Sequence, residues 1–416
     1  MKNILLKRVI LISKGHPYHD KVVDILIQDG KIASIEKNIK PTGGIEVFQQ
    51  ENAHVSIGWM DIGVQIGEPG YEHREDLETV TQAALKGGFT EIAAYPNTNP
   101  VIQSKTSVKF LASFSKHNPV KIYAIGALTE DCSGEAITEM YDMHHAGAVA
   151  FSDGKHSIQS AAIMLRSLEY VKAFDGLVIN QPMDYTLSKN GMMHEGVTST
   201  KMGVQGISSI AEEIIIERDL NLLKYTDSRL HISNISTEAG LKLIKKAKKA
   251  RLNVTTSVSV MNIAFMDSEL LSFDPMYKVL PPLREKLDMK SLRVGIQSKE
   301  IDLINSNHVP IEEEGKKLEF SYAKFGAIGL ETCFALANTA LRRTVHHSQI
   351  VHLLSVNPRK ILGLPIPKIE VGAKANLTIY NPDLKWTVTK DDFGSKSLNT
   401  PLLGKKLVGK VLGVIS

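Results

Sequence analysis

WMDIGVQIGEPGYEHREDLETVTQAALKGGFTEIAAYPNTNP, residues 59–100, carries the outline of strand, loop, helix and second strand in one run. It opens on an apolar run and breaks at Gly67-Glu68-Pro69-Gly70. It resumes as EDLETVTQAALKGG (75–88), where apolar residues recur at helical spacing and a Gly pair supplies a C-cap. TEIAAYP (90–96) then reads as a second strand.

The same rhythm continues outward from this unit. Apolar strands are predicted in VKIYAIGAL (120–128), AVAFSD (148–153), GLVIN (176–180), RLHISN (229–234), LNVTTSV (252–258) and EIDLINSN (300–307), with helical segments such as TEAGLKLIKKAKKA (237–250) between them. Seven or eight such units in a row favour a (β/α)8 TIM barrel over an open doubly wound sheet. Residues 1–57 carry period-two segments and the turn signal Gln28-Asp29-Gly30, and β-rich patterning returns in GAKANLTIYNP and GKKLVGKVLGVI. The expected organisation is a small composite β-domain from residues 1–57 and 365–416, with the barrel, 58–364, inserted between.

Composition narrows the class. At 416 residues, 43% hydrophobic and 23% charged, the chain suits a globular protein with a sizeable core. Lys plus Arg number 49 against 45 Asp plus Glu, so the net charge of +4 gives no reason to expect nucleic acid. The basic run KLIKKAKKAR (242–251) has the spacing of a solvated helix face. Two cysteines, Cys132 and Cys333, exclude a disulfide framework or a Cys-rich zinc site. The N-terminal segment is not patterned as a signal peptide, and no run approaches about 18 uninterrupted apolar residues. A cytoplasmic protein that binds no membrane is expected.

Barrel chemistry sits at the C-terminal ends of the strands. There the chain offers Gly63, Gln65, Asn97, Asp153, Asn180 with Gln181, Asn234, Ser257 and Asn307, a set rich in neutral amides. A divalent metal takes imidazoles and carboxylates, whose charge offsets the cation, and Asp153 alone does not make a site. The pairs His144-His145 and His346-His347 diverge by about 100° on a helix and cannot chelate together. His231 and Asn234 differ in strand parity, and His73 lies in the loop after the first barrel strand.

These motifs carry a likeness. GEPGYEHREDLETVTQAALKGGFTEIAAYPNTNPV is similar to the REPG…GGFT…MPNTNPV block of the dihydroorotases, in the amidohydrolase superfamily. HISNIST resembles HxxHxST, PPLREKLDMKSLRVGI the NPPLR segment, FGAIGLET the FGxxGLET segment, and NPRKILGL the NPAxxxGL segment. The tail FGSKSLNTPLLGKKLVGKV resembles the closing β-domain with its SK…NTPF element. The resemblance implies a metal barrel with a composite β-domain. It also implies the reversible cyclisation of N-carbamoyl-L-aspartate to L-dihydroorotate, through a zinc-activated hydroxide and a strand-end Asp.

Carried over residue by residue, the functional positions are largely altered. The HxH ligands correspond to Gly63 and Gln65, and the substrate-clamping Arg to Gly67. Two further ligand histidines correspond to Gln181 and Asn234. The catalytic Asp corresponds to Asn307, a substrate-contacting His to Ile311, and the Asn of NPPLR to Leu280. The family DDG is reduced to Asp153-Gly154. What persists as a remnant of the substrate pocket is Asn97, Arg284, His308, Phe325 and Gly326, with Asp153 as the one retained metal position.

The expectation is a dihydroorotase homologue without zinc or other cofactor. By family analogy it acts as a structural or regulatory partner of aspartate carbamoyltransferase and forms a homodimer. Two alternatives stand beside it: an active cyclic amidohydrolase with an atypical site using Asp153, His73 or His308, and a small-carboxylate binding module using Asn97 and Arg284. PIEEEGKKLEF (310–320) stands where active relatives carry a lid, and its charges read as an ordinary solvated loop.

Overall fold

The computed structural model describes residues 3–41 and 43–416. Residues 1, 2 and 42, within the first part of the expected β-domain, lie outside the described residues. Eight parallel strands follow in chain order: Trp59–Val64, Phe89–Ala94, Lys121–Gly126, Ala150–Phe151, Val178–Asn180, Leu230–Ile232, Val254–Ser259 and Leu303–Asn305. Each pairs with the next. The eighth returns to the first through side chains, Ser306 N–H donating to Asp61 Oδ1 at 3.2 Å and Asn305 Nδ2 to Ile62 O at 3.5 Å. The (β/α)8 barrel read from the sequence is the observed fold.

The first unit shows why. Helix Leu77–Gly87 starts at Asp76, whose carboxylate accepts from Thr79 N at 2.8 Å in a capping box. It stops at Gly88, which takes the left-handed conformation (φ 87°) that a side chain would strain. Leu77, Val80, Ala83 and Ala84 turn inward against the sheet. Inside the barrel, Met60, Ile62, Ala93, Ile125, Ile179 and Leu303 form a packed interior rather than a pore.

Both chain ends build one seven-stranded sheet. Lys406–Ile415 pairs with Leu377–Thr387, which pairs with His54–Ile57, then Ile4–Leu11, Val22–Gln28 and Lys31–Glu36, while Glu46–Gln49 also lies along Ile4–Leu11. The hairpin at Asp29-Gly30 has φ of 49° and 73°, the left-handed pair such a turn needs. Among the described residues no helix is long and apolar enough to cross a membrane.

Candidate functional site at the barrel mouth

The mouth is assembled from the residues just past each strand. Gln65, Asp153, Asn180, Asn234 and Asn307 are all buried there, and Asn97 is partly exposed. Asn234 and Asn307 both hold left-handed backbone (φ 55° and 48°), a conformation Asn tolerates better than most residues. Asn234 Nδ2 donates to Asn307 Oδ1 at 3.3 Å, and Asn307 Nδ2 to Leu280 O at 2.9 Å. Amide thus binds amide where the resemblance places an imidazole and an acid.

Gly63 has no side chain to offer, and the space beside it is taken. A Cβ built there would lie 2.7 Å from Cε2 and Cζ of Tyr95. Tyr95 follows the second strand, is buried, and places its hydroxyl 3.1 Å from Ser233 Oγ. Burial pushes its phenol up to about 12, so it stays protonated. Neither Tyr95 nor Ser233 stands out in the sequence by periodicity. The available signal was Tyr95 at the Met position of the MPNTNPV block, a larger ring paired with a residue 63 reduced to glycine.

Asp153 is occupied by the protein itself. Its Oδ1 accepts from Leu128 N at 3.0 Å and Thr129 N at 2.8 Å, and its Oδ2 from the Thr129 hydroxyl. Burial raises its carboxyl to about 6 against those hydrogen bonds. Among the described residues no group of three or more His, Cys, Asp or Glu is placed to hold a metal. A set of Gly, Gln, Gln, Asn and one fully hydrogen-bonded Asp does not fit zinc, which takes imidazole, thiolate or carboxylate donors.

Each residue grouped as a pocket remnant has partners within the protein. Arg284 is buried and turned to protein partners: Nε donates to Ser236 Oγ at 3.0 Å, Nη1 to Ile207 O at 3.0 Å and His194 Nδ1 at 3.1 Å, and Nη2 lies 3.6 Å from Glu212 Oε2. Burial and then the guanidinium push His194 down to about 4, leaving it a neutral acceptor. His308 Nδ1 accepts from Gly329 N and Leu330 N, so its proton is on Nε2, 3.3 Å from Glu75 Oε2. Asn97 bridges the fourth-strand loop, donating to Asp153 O and accepting from Lys155 N, both at 3.0 Å. Phe325 packs toward Met183, Ile207 and Ala211 beside Leu280, and Gly326 N donates to Lys278 O at 2.9 Å. Gln181 is half-buried, and His73 is exposed on its loop.

The PIEEEGKKLEF segment is anchored to the protein at several residues rather than solvated throughout. Ile311 and Lys316 are buried, and Lys316 Nζ donates to the carbonyls of Pro275 and Lys324 at 2.8 Å. Glu312 Oε2 meets Arg74 Nε at 2.5 Å from across the mouth, and its Oε1 pairs with Lys324. Burial alone would raise the Glu312 carboxyl, yet these two cations hold it down to about 2. Only Glu313, Glu314 and Lys317 to Glu319 face solvent as a charged loop would.

An eight-stranded parallel barrel with strand-end side chains at its mouth and a sheet made by both chain ends defines the amidohydrolase TIM-barrel class. L-Hydantoinase (dihydropyrimidinase) from Arthrobacter aurescens has this fold, with a TM-score of 0.85 at 22% identity over 100% of this chain and 94% of its own. A model of the Dihydro-orotase-like family matches residues 54–240. The dihydroorotase of Pelotomaculum thermopropionicum is 39% identical over 96% of this chain and 95% of its own. That of Caldanaerobacter subterraneus is 39% identical over 98% and 94%. The chain belongs to the dihydroorotase family.

Proposed function

We propose that this chain is a non-catalytic member of the dihydroorotase family that works as a structural or regulatory partner of aspartate carbamoyltransferase. The observation that supports it most is the donor set at the mouth: Gly63, Gln65, Gln181, Asn234 and Asn307 stand where the resemblance puts ligands and the acid. Without a cation to activate it, water at neutral pH is a weak nucleophile, and losing that activation costs orders of magnitude in rate. The small-carboxylate reading loses its main support because Arg284 is spent on Glu212, Ser236 and Ile207. The partner is assigned by family analogy, and fold alone does not imply it.

The test is hydrolysis of L-dihydroorotate by chain produced in a host without its own dihydroorotase, with and without added zinc. No turnover in either condition is expected. Zinc-dependent turnover well above background would sink the reading and favour the active amidohydrolase. Sedimentation with aspartate carbamoyltransferase tests the second half, and separate boundaries at micromolar concentration would remove that partner. The same runs on the chain alone report whether it is the expected homodimer.

A further inference from the structure

We propose that Tyr95 is the built-in occupant of the former metal pocket, so that restoring the lost ligand side chains does not restore zinc binding while Tyr95 is in place. This rests on the family reading of positions 63, 65, 181 and 234 given above.

Two features at the first strand lead to it. Register with the second strand runs Ile62 to Ala93 and then Val64 to Ala94, which leaves Gly63 as an extra residue in a bulge. Its φ of 88° is left-handed, where a side chain is strained. The bulge brings the residue-63 backbone against the Tyr95 ring, with the virtual Cβ 2.7 Å from two ring carbons and 2.9 Å from Oη. Real Cβ contacts are not that short, so any side chain at 63 has to displace the ring.

The ring is not free to leave. Its hydroxyl is 3.1 Å from Ser233 Oγ, and Ser233 receives the Ser257 hydroxyl at 3.5 Å. Ser257 Oγ lies 3.1 Å from His231 Nε2, and His231 Nδ1 lies 2.8 Å from Thr255 Oγ1. All of these but Thr255 are buried. Tyr95 therefore runs from one former ligand position, Gly63, to the neighbour of another, Asn234. The hydroxyl end of the ring thus fills the space beside residue 63 and is held there by Ser233.

The first experiment is a double-mutant cycle read by Tm. Gly63→Ala is measured in the wild-type chain and in a Tyr95→Ala chain. Contact with Tyr95 makes the loss in the wild-type chain roughly twice or more that in the Tyr95→Ala chain, the remainder reflecting the left-handed φ. Folding only in the Tyr95→Ala chain shows the same coupling. Equal losses, or failure to fold in both, would overturn the proposal.

The second experiment uses zinc alone, by equilibrium dialysis and elemental analysis. Gly63→His, Gln65→His, Gln181→His and Asn234→His are combined, with and without Tyr95→Ala. Retention only after Tyr95→Ala is the expected result. Stoichiometric retention with Tyr95 intact overturns the proposal. No retention in either chain overturns it too, because something other than Tyr95 would then be what keeps the ion out. Stoichiometric zinc in the wild-type chain would instead bring down the non-catalytic reading, a result separable from both.

Discussion

Two kinds of buried position meet around the barrel mouth. One kind is a carboxyl side chain. Glu75 accepts from Lys396 N at 3.0 Å and from the Ser395 and Thr79 hydroxyls, and Glu212 accepts from Ser236 N at 2.8 Å and Thr237 N at 3.0 Å while facing Arg284. Asp61 and Asp153 are held in the same way by Ser306 and by Leu128 with Thr129. The other kind, at 63, 65, 181, 234 and 307, is neutral. The difference lies in the partners: the buried carboxylates are met by backbone N–H groups and hydroxyls, whereas the neutral positions bury no charge that needs one.

The largest effect is expected where a buried charge loses its partner. Glu212→Ala removes the acid that pairs with buried Arg284, leaving the more distant Asp288, and should cost about 3 kcal/mol or more in denaturant unfolding. A loss under about 1 kcal/mol would mean that the charged positions are as dispensable as the neutral ones.

Acid titration acts on the same carboxyl groups. Burial raises both Asp61 and Asp153 to about 6, above the ordinary 3.8. Their contribution is therefore complete below pH 3.8 and is lost as pH rises through 6. Asp153→Asn carries no such dependence, so the stability gap between wild type and variant should widen by up to ~3 kcal/mol from pH 7 to pH 4. His231 and His194, lowered by burial to about 3 and about 4, act the other way, stabilising above 6.5 and losing that as pH falls. A gap that stays constant or narrows in acid would place the Asp153 carboxyl in contact with water.

A smaller effect is expected at the neutral positions. Tyr95→Phe removes one hydrogen bond, to Ser233, and should cost about 1 kcal/mol by urea unfolding, because Ser233 keeps Ser257. A cost of several kcal/mol would put Tyr95 among the matched group. The smallest effect is that of chelation. Dialysis against EDTA should move Tm by no more than about 1 °C, since a metal bound to the native state would stabilise it by mass action. A fall of several degrees would reveal a ligand set other than the one named.

Sequence patterning carried the architecture well because period and punctuation are local. Asp76 and Gly88 bound their helix, and Asp29-Gly30 turns its hairpin as the residue types require. Strand ends were overextended: EIDLINSN shortens to Leu303–Asn305, because the chain breaks from the ladder to reach Asp61. Side-chain destinations were not legible. Arg284 and His308 keep their motif places yet point to Glu212 and Glu75, residues 72 and 233 positions away, and no local pattern encodes such partners.

The knot at Glu75 has a consequence for how the molecule is made. Ser395 and Lys396 hold this carboxylate across about 320 residues of chain, and the Leu377–Thr387 strand completes the sheet begun by His54–Ile57. During synthesis the first barrel unit leaves the ribosome long before the segment that seals it. Until the last stretch emerges, a buried acid and a bare sheet edge stay open to whatever is near, as slow, non-local folding entails. A nascent chain stalled before residue 377 therefore lacks both the partners of Glu75 and the strand that lies against His54–Ile57.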